Sequence, residues 1–115
     1  MSVDACEVIT HMDTILLADE SKWTKHTRWR WNDDFKSGQM CLLGALSTAC
    51  AGGTHEIPEP HTEAGHVYRR VCDAICEAAG VMCSNGNVIE FNDSPRTTFA
   101  DVKTALRKAR QSICS

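Results

Sequence analysis

Residues 40–51 set the strongest constraint on the fold. Leu42, Leu43, Ala45, Leu46, Ala49 and Cys50 leave this stretch apolar on nearly every side, and a helix of that kind is stable only when other elements surround it. Gly52 and Gly53 come next and stop it. The rest of the chain must therefore supply walls around a buried central helix.

Three further stretches have the pattern for such walls. In residues 4–18, Val8, Ile9, Met12, Ile15 and Leu16 recur at spacings of three and four, with Asp4 placed to cap the start. In residues 62–79, Ala64, Val67, Tyr68, Val71, Cys72, Ile75, Ala78 and Ala79 form a broad stripe, and Gly80 is a natural residue just past the end. The last helix is expected over residues 99–114, along Phe99, Val102, Leu106, Ala109 and Ile113. Thr98 and Asp101 resemble a capping box there, with Asp in place of Glu.

Between the first two helices, residues 19–38 show no helical stripe and read as an ordered loop pinned by tryptophans. Asn85-Gly86 signals a turn, and residues 87–91 read as a short strand pairing with residues 81–83. The expected fold is mainly α: a compact four-helix single domain over residues 1–115 around a buried central helix, with one short β-hairpin near residues 82–91. A chain of 115 residues, 43% hydrophobic and 23% charged, has the length and apolar content for one such core.

The longest uninterrupted apolar run, residues 40–46, falls far short of the roughly 20 residues that span a bilayer. The first twenty residues are acidic where a secretory leader would be basic and then apolar. A cytoplasmic protein without membrane contact is the expectation. In that setting the seven cysteines, an odd number, read as reduced thiols that fill the core.

Two stretches resemble a family of small uncharacterised bacterial and phage proteins. One is Cys41-Leu42-Leu43-Gly44-Ala45-Leu46. The other is Phe91-Asn92-Asp93, then Arg96-Thr97 and Asp101-Val102. That family pairs a Cys-x-x-Gly-Ala-Leu helix with an aromatic-Asn-Asp, Arg-Thr, acidic-Val signature that leads into the final helix. The chain departs from it with Phe91 at a position where the family carries Trp, and with a longer basic-aromatic loop. The resemblance implies a helical intracellular fold and a phage or prophage origin. It brings no activity and no catalytic residue.

Residues 22–31 are the most distinctive chemistry. Lys22, Lys25, Arg28 and Arg30 alternate with Trp23, Trp29 and Trp31, and Trp and Arg dominate the energetic centres of protein interfaces. The favoured function is a small accessory or interaction protein, with Trp23, Arg28, Trp29, Arg30, Trp31, Asn92, Asp93 and Arg96 as contact residues and an acidic protein surface as partner. The same cations and indoles would also suit single-stranded nucleic acid, although the chain as a whole carries a net charge of −3. An enzyme reading casts Cys41 as the nucleophile of a cysteine hydrolase, with His66 as base and Asn92 as the orienting residue. With seven cysteines and five histidines, such a triple arises easily by chance.

No metal or other cofactor is expected. Cys72 and Cys76 share a helix face, and His55, Glu56, Glu59, His61, Glu63 and His66 crowd one stretch. Neither has the spacing of a zinc knuckle or of a His-Glu-x-x-His helix.

Overall fold

The computed structural model describes residues 4–25, 29–31, 38–50 and 57–114. Five α-helices run in the order α1 (Ala5–His11), α2 (Leu42–Cys50), α3 (Glu63–Ala79), α4 (Asn85–Asp93) and α5 (Phe99–Cys114), with two short strands, β1 (Trp29–Trp31) and β2 (Gly38–Met40), ahead of α2. The mainly α single domain expected from the sequence is what forms, with five helices in place of four.

The central helix lies where its composition requires. Leu42, Leu43, Ala45 and Leu46 are all buried, as are Gly44, Ser47 and Thr48 on the more polar side. Around it, α5 packs along α3 and α1, while α3 and α4 cover α2. Each wall helix carries the cap that its sequence encodes. The Asp4 carboxylate accepts from the Cys6 and Glu7 backbone N–H groups at 2.7 and 3.2 Å. Thr98 and Asp101 bond reciprocally at 2.9 and 3.2 Å, as a capping box does. Gly80 ends α3 in the left-handed region at φ 75°.

Glycine is also required inside α3. A Cβ on Gly65 would stand 2.0 Å from the Glu59 carbonyl oxygen, so the proline-bearing segment before α3 can close onto the helix only at a residue with no side chain.

Two expectations need correction. The hairpin near residues 82–91 does not form, because the segment is α4. Ser84 caps it by accepting from the Asn87 N–H at 3.0 Å, so Asn85 and Gly86 open a helix and make no turn between strands. Val88 and Asn92, one helical turn apart, are the residues α4 buries. A two-stranded antiparallel ribbon forms instead in the segment expected to be a loop, with Trp29 opposite Met40, Arg30 opposite Gln39 and Trp31 opposite Gly38. A 3₁₀ turn, Glu20–Lys22, precedes it. Met40 also bridges to Trp23, which moors β2 to the body of the fold.

The second correction concerns cysteine. Cys6 and Cys114 form a disulfide between the start of α1 and the end of α5, so the thiols are not uniformly reduced. Cys50, Cys72 and Cys76 are free and buried, as core thiols would be, Cys41 is buried as well, and Cys83 is free and exposed.

The first helix also departs from a uniform stripe. After His11 it widens into a π-helical turn, Met12–Leu16. The extra residue per turn rotates the end of the helix, which leaves Ile15 half exposed while Leu17 is fully buried. It also turns the Asp13 carboxylate inward, against Lys103 and Arg110 of α5. The Lys103 ammonium further caps the widened turn by donating to the Leu17 carbonyl at 3.2 Å.

Candidate functional site

Asn92 is the polar centre of the fold, fully buried on the last turn of α4. Its side-chain oxygen accepts from the Trp23 indole N–H at 2.7 Å and from the Leu42 backbone N–H at 3.1 Å. Its amide nitrogen donates to the Thr24 carbonyl at 3.0 Å and to the Asp93 carboxylate at 2.9 Å. The Leu42 N–H is one of the donors that a helix start leaves unpaired, so Asn92 completes α2 while fixing the chain at Trp23 and Thr24. Lys25 adds a second tie, donating to the Ser94 and Thr97 carbonyls at 2.6 and 2.8 Å with its ammonium 5.4 Å from the Trp23 ring centre. Trp23 packs in turn on Phe99, with ring centres 5.8 Å apart.

This hub joins the two stretches that carry the family resemblance. Cys41 begins α2, where its Sγ accepts from the Gly44 N–H at 3.4 Å in the manner of an N-cap. The Cys41–His66–Asn92 arrangement is not assembled around an open site. The Cys41 thiol is buried, the Asn92 amide is taken up by four hydrogen bonds, and His66 lines a cleft on α3. Trp23 and Asn92, expected as contact residues, are engaged inside the molecule. Asp93 borders a groove of about 820 Å³ on the other face of α4, together with Ile89, Phe91 and Pro95, and Arg96 is exposed beside it. Arg28 and the side chains of Trp29, Arg30 and Trp31 lie outside the described residues.

A second constellation lies between α3 and the start of α4. Cys72 and Cys76 stand one turn apart on the inner face of α3. The chain reverses at Gly80, held by a bond from the Val81 N–H to the Cys76 carbonyl at 3.0 Å, and the return brings Cys83 back over that face. The three sulfurs all lie within 4.8 Å of one another. Cys72 Sγ stands 3.8 Å from the Asn85 side-chain oxygen, which also accepts from the Tyr68 hydroxyl at 2.9 Å. Cys83 Sγ donates to the Asp73 carboxylate.

Burial, and then the neighbouring sulfurs Cys76 and Cys83, push the Cys72 thiol far above its ordinary value. The hydrogen bond to Asp73, and after it burial, pushes Cys83 up to about 11. Cys72 and Cys83 line a cleft of about 400 Å³ together with His66, Arg69, Asp73 and Asn85. Helical spacing pairs Cys72 with Cys76 and leaves Cys83 out. The signal for the third thiol is Gly80, whose reversal so close to Cys83 folds the next residues onto the helix. The stretch of histidines and glutamates before α3 gathers no comparable cluster among the described residues.

A family model, described as a family of unknown function (DUF6197), matches residues 3–112. The chain belongs to that family. No curated protein and no solved structure matches this DUF6197 chain. In this chain the hub ties the Cys-x-x-Gly-Ala-Leu stretch to the Asn-Asp stretch directly, because Asn92 accepts from the Leu42 N–H in the first turn of α2. Among the described residues, no helix is long and apolar enough to cross a membrane.

Proposed function

We propose that this DUF6197 chain is a small accessory protein that binds another protein through the β1–β2 ribbon, with Arg28, Trp29, Arg30 and Trp31 as its contacts and an acidic surface as its partner. The observation behind this is the edge of β1. Among the described residues β1 pairs with β2 on one side and with no strand on the other, and an edge strand offers unpaired backbone groups to an incoming chain.

The hub narrows which cations remain for a partner. Lys25 serves the Ser94 and Thr97 carbonyls, and Lys22 donates to the Ile15 carbonyl at 3.2 Å. Of the four positive residues in 22–31, these two are committed within the fold, and contact with a partner falls to Arg28 and Arg30, which neighbour Trp29 and Trp31 in the sequence. Arginine and tryptophan are among the residues most enriched at the energetic centres of interfaces. Arg96 is exposed, and Asp93 is half-buried where it accepts from the Asn92 amide; both are included among the proposed contacts. The phage or prophage origin implied by the resemblance belongs with this proposal.

The test is a fluorescence titration of the native chain with poly-glutamate and, in parallel, with oligothymidine. A saturable change in tryptophan emission with poly-glutamate is expected. It should weaken as salt rises and disappear in an Arg28→Glu/Arg30→Glu variant whose circular dichroism is unchanged. No response to poly-glutamate overturns the proposal, and a response to oligothymidine alone replaces it with single-strand binding.

A further inference from the structure

We propose that Cys72, Cys76 and Cys83 form a binding site for one zinc ion, held by three thiolates with its fourth position open to the cleft. The sulfurs are already close to the required arrangement. Tetrahedral zinc with bonds of about 2.3 Å to sulfur sets its sulfurs roughly 3.8 Å apart, and here all three lie within 4.8 Å of one another. The difference to be closed is at most about 1 Å between any two sulfurs.

The placement of Cys83 argues for a ligand more than for packing. Cys72 and Cys76 are buried and would gain from filling space in any case. Cys83 is exposed, so burial does not explain why its sulfur comes back over theirs. The supports are also those of a built site. Two of the sulfurs are carried by a regular helix, and the third comes after a reversal fixed by the left-handed Gly80 and by the bond from Val81 to Cys76. Rigid elements hold ligand geometry better than long loops do.

The exposed Cys83 gives the ion a way in, and the cleft beside it provides room for a fourth ligand. Soft thiolates select zinc over the hard cations magnesium and calcium. The free thiols carry protons, so one ion entering takes three thiolates and releases three protons to solvent.

The experiment uses the native chain with its Cys6–Cys114 disulfide intact. Cobalt(II) is titrated as a coloured probe and then displaced with zinc. One equivalent per chain is expected, with sulfur-to-cobalt charge-transfer absorption and tetrahedral bands that zinc abolishes. Alkylation and then mass spectrometry should show zinc protecting Cys83, the exposed thiol of the three. Cys83→Ser removes an exposed sulfur and so leaves the fold intact by circular dichroism. It should weaken cobalt binding by tenfold or more. Absence of a one-to-one thiolate spectrum overturns the proposal. Unchanged affinity in Cys83→Ser does so as well, and so does a native disulfide between any two of the three.

Discussion

Replacing Asn92 with alanine isolates what one buried amide does for this fold. The substitution deletes four hydrogen bonds at once, but their partners differ in how well they can recover. The Trp23 indole is only half buried and can turn toward water, so its loss is a net hydrogen bond, about 1 kcal/mol. The Asp93 carboxylate is likewise within reach of solvent. The Leu42 N–H and the Thr24 carbonyl belong to buried residues, and each buried polar group left unpaired costs about 1–3 kcal/mol. Together the loss is about 3–7 kcal/mol, a large part of the roughly 5–15 kcal/mol typical of a domain.

Urea unfolding monitored by tryptophan fluorescence measures this loss directly. At roughly 4 °C per kcal/mol for a chain of this size, the melting temperature should fall by about 12–28 °C. Asn92→Asp serves as a control. It keeps both acceptor bonds but loses the donor to Thr24 and sets a second carboxylate against Asp93, so it should be destabilised at neutral pH and recover partly as acid restores a proton. A loss below about 1 kcal/mol in Asn92→Ala would refute the view that this amide holds α2 and the tryptophan segment together.

Two other parts of the fold are as readily tested. Gly65→Ala forces a Cβ to within 2.0 Å of the Glu59 carbonyl oxygen, so the backbone must shift, and a destabilisation of about 1–3 kcal/mol is expected; a thermal melt equal to that of the parent chain would contradict it. Burial raises Cys50 to about 12 from an ordinary value of 9.0. The folded chain therefore holds that proton where the unfolded chain releases it. Cys72 and Cys83 are raised in the same direction, so stability should hold below about pH 9 and fall above it, with Cys50 contributing up to about 1.4 kcal/mol per pH unit of that fall. Urea midpoints measured from about pH 8 to about pH 10.5 would detect the fall, and a midpoint that does not move would contradict the assignment.

Which parts of this molecule are legible in the sequence depends on the distance over which each is determined. The ends of α3 and α5 are settled within a few residues, by Thr62 and Gly80 in one and by Thr98 with Asp101 in the other, and both helices form where the sequence puts them. The helix α4 escapes such a reading because the residue that completes its buried face is polar. Val88 and Asn92 are one turn apart, but a search for apolar periodicity counts only the first, and residues 87–91 then resemble a strand. The π-helical turn carries Asp13, whose partner Lys103 lies ninety positions away, so no local pattern announces that pairing. The same holds for the site. Cys72 and Cys76 are visible as a pair on one face, whereas the approach of Cys83 requires the reversal at Gly80. The inward role of Trp23 requires Asn92, sixty-nine residues away.

The bond between Cys6 and Cys114 makes the polypeptide from one to the other a closed circuit. A protease that cuts it once releases nothing, and two fragments separate only after reduction. Any chain joined ahead of residue 6 and any joined beyond residue 114 would also depart from the same corner of the molecule. A fusion at either side thus competes for one exit, while the β1–β2 ribbon and the thiol cleft belong to other segments and can be relabelled or reopened without crossing it.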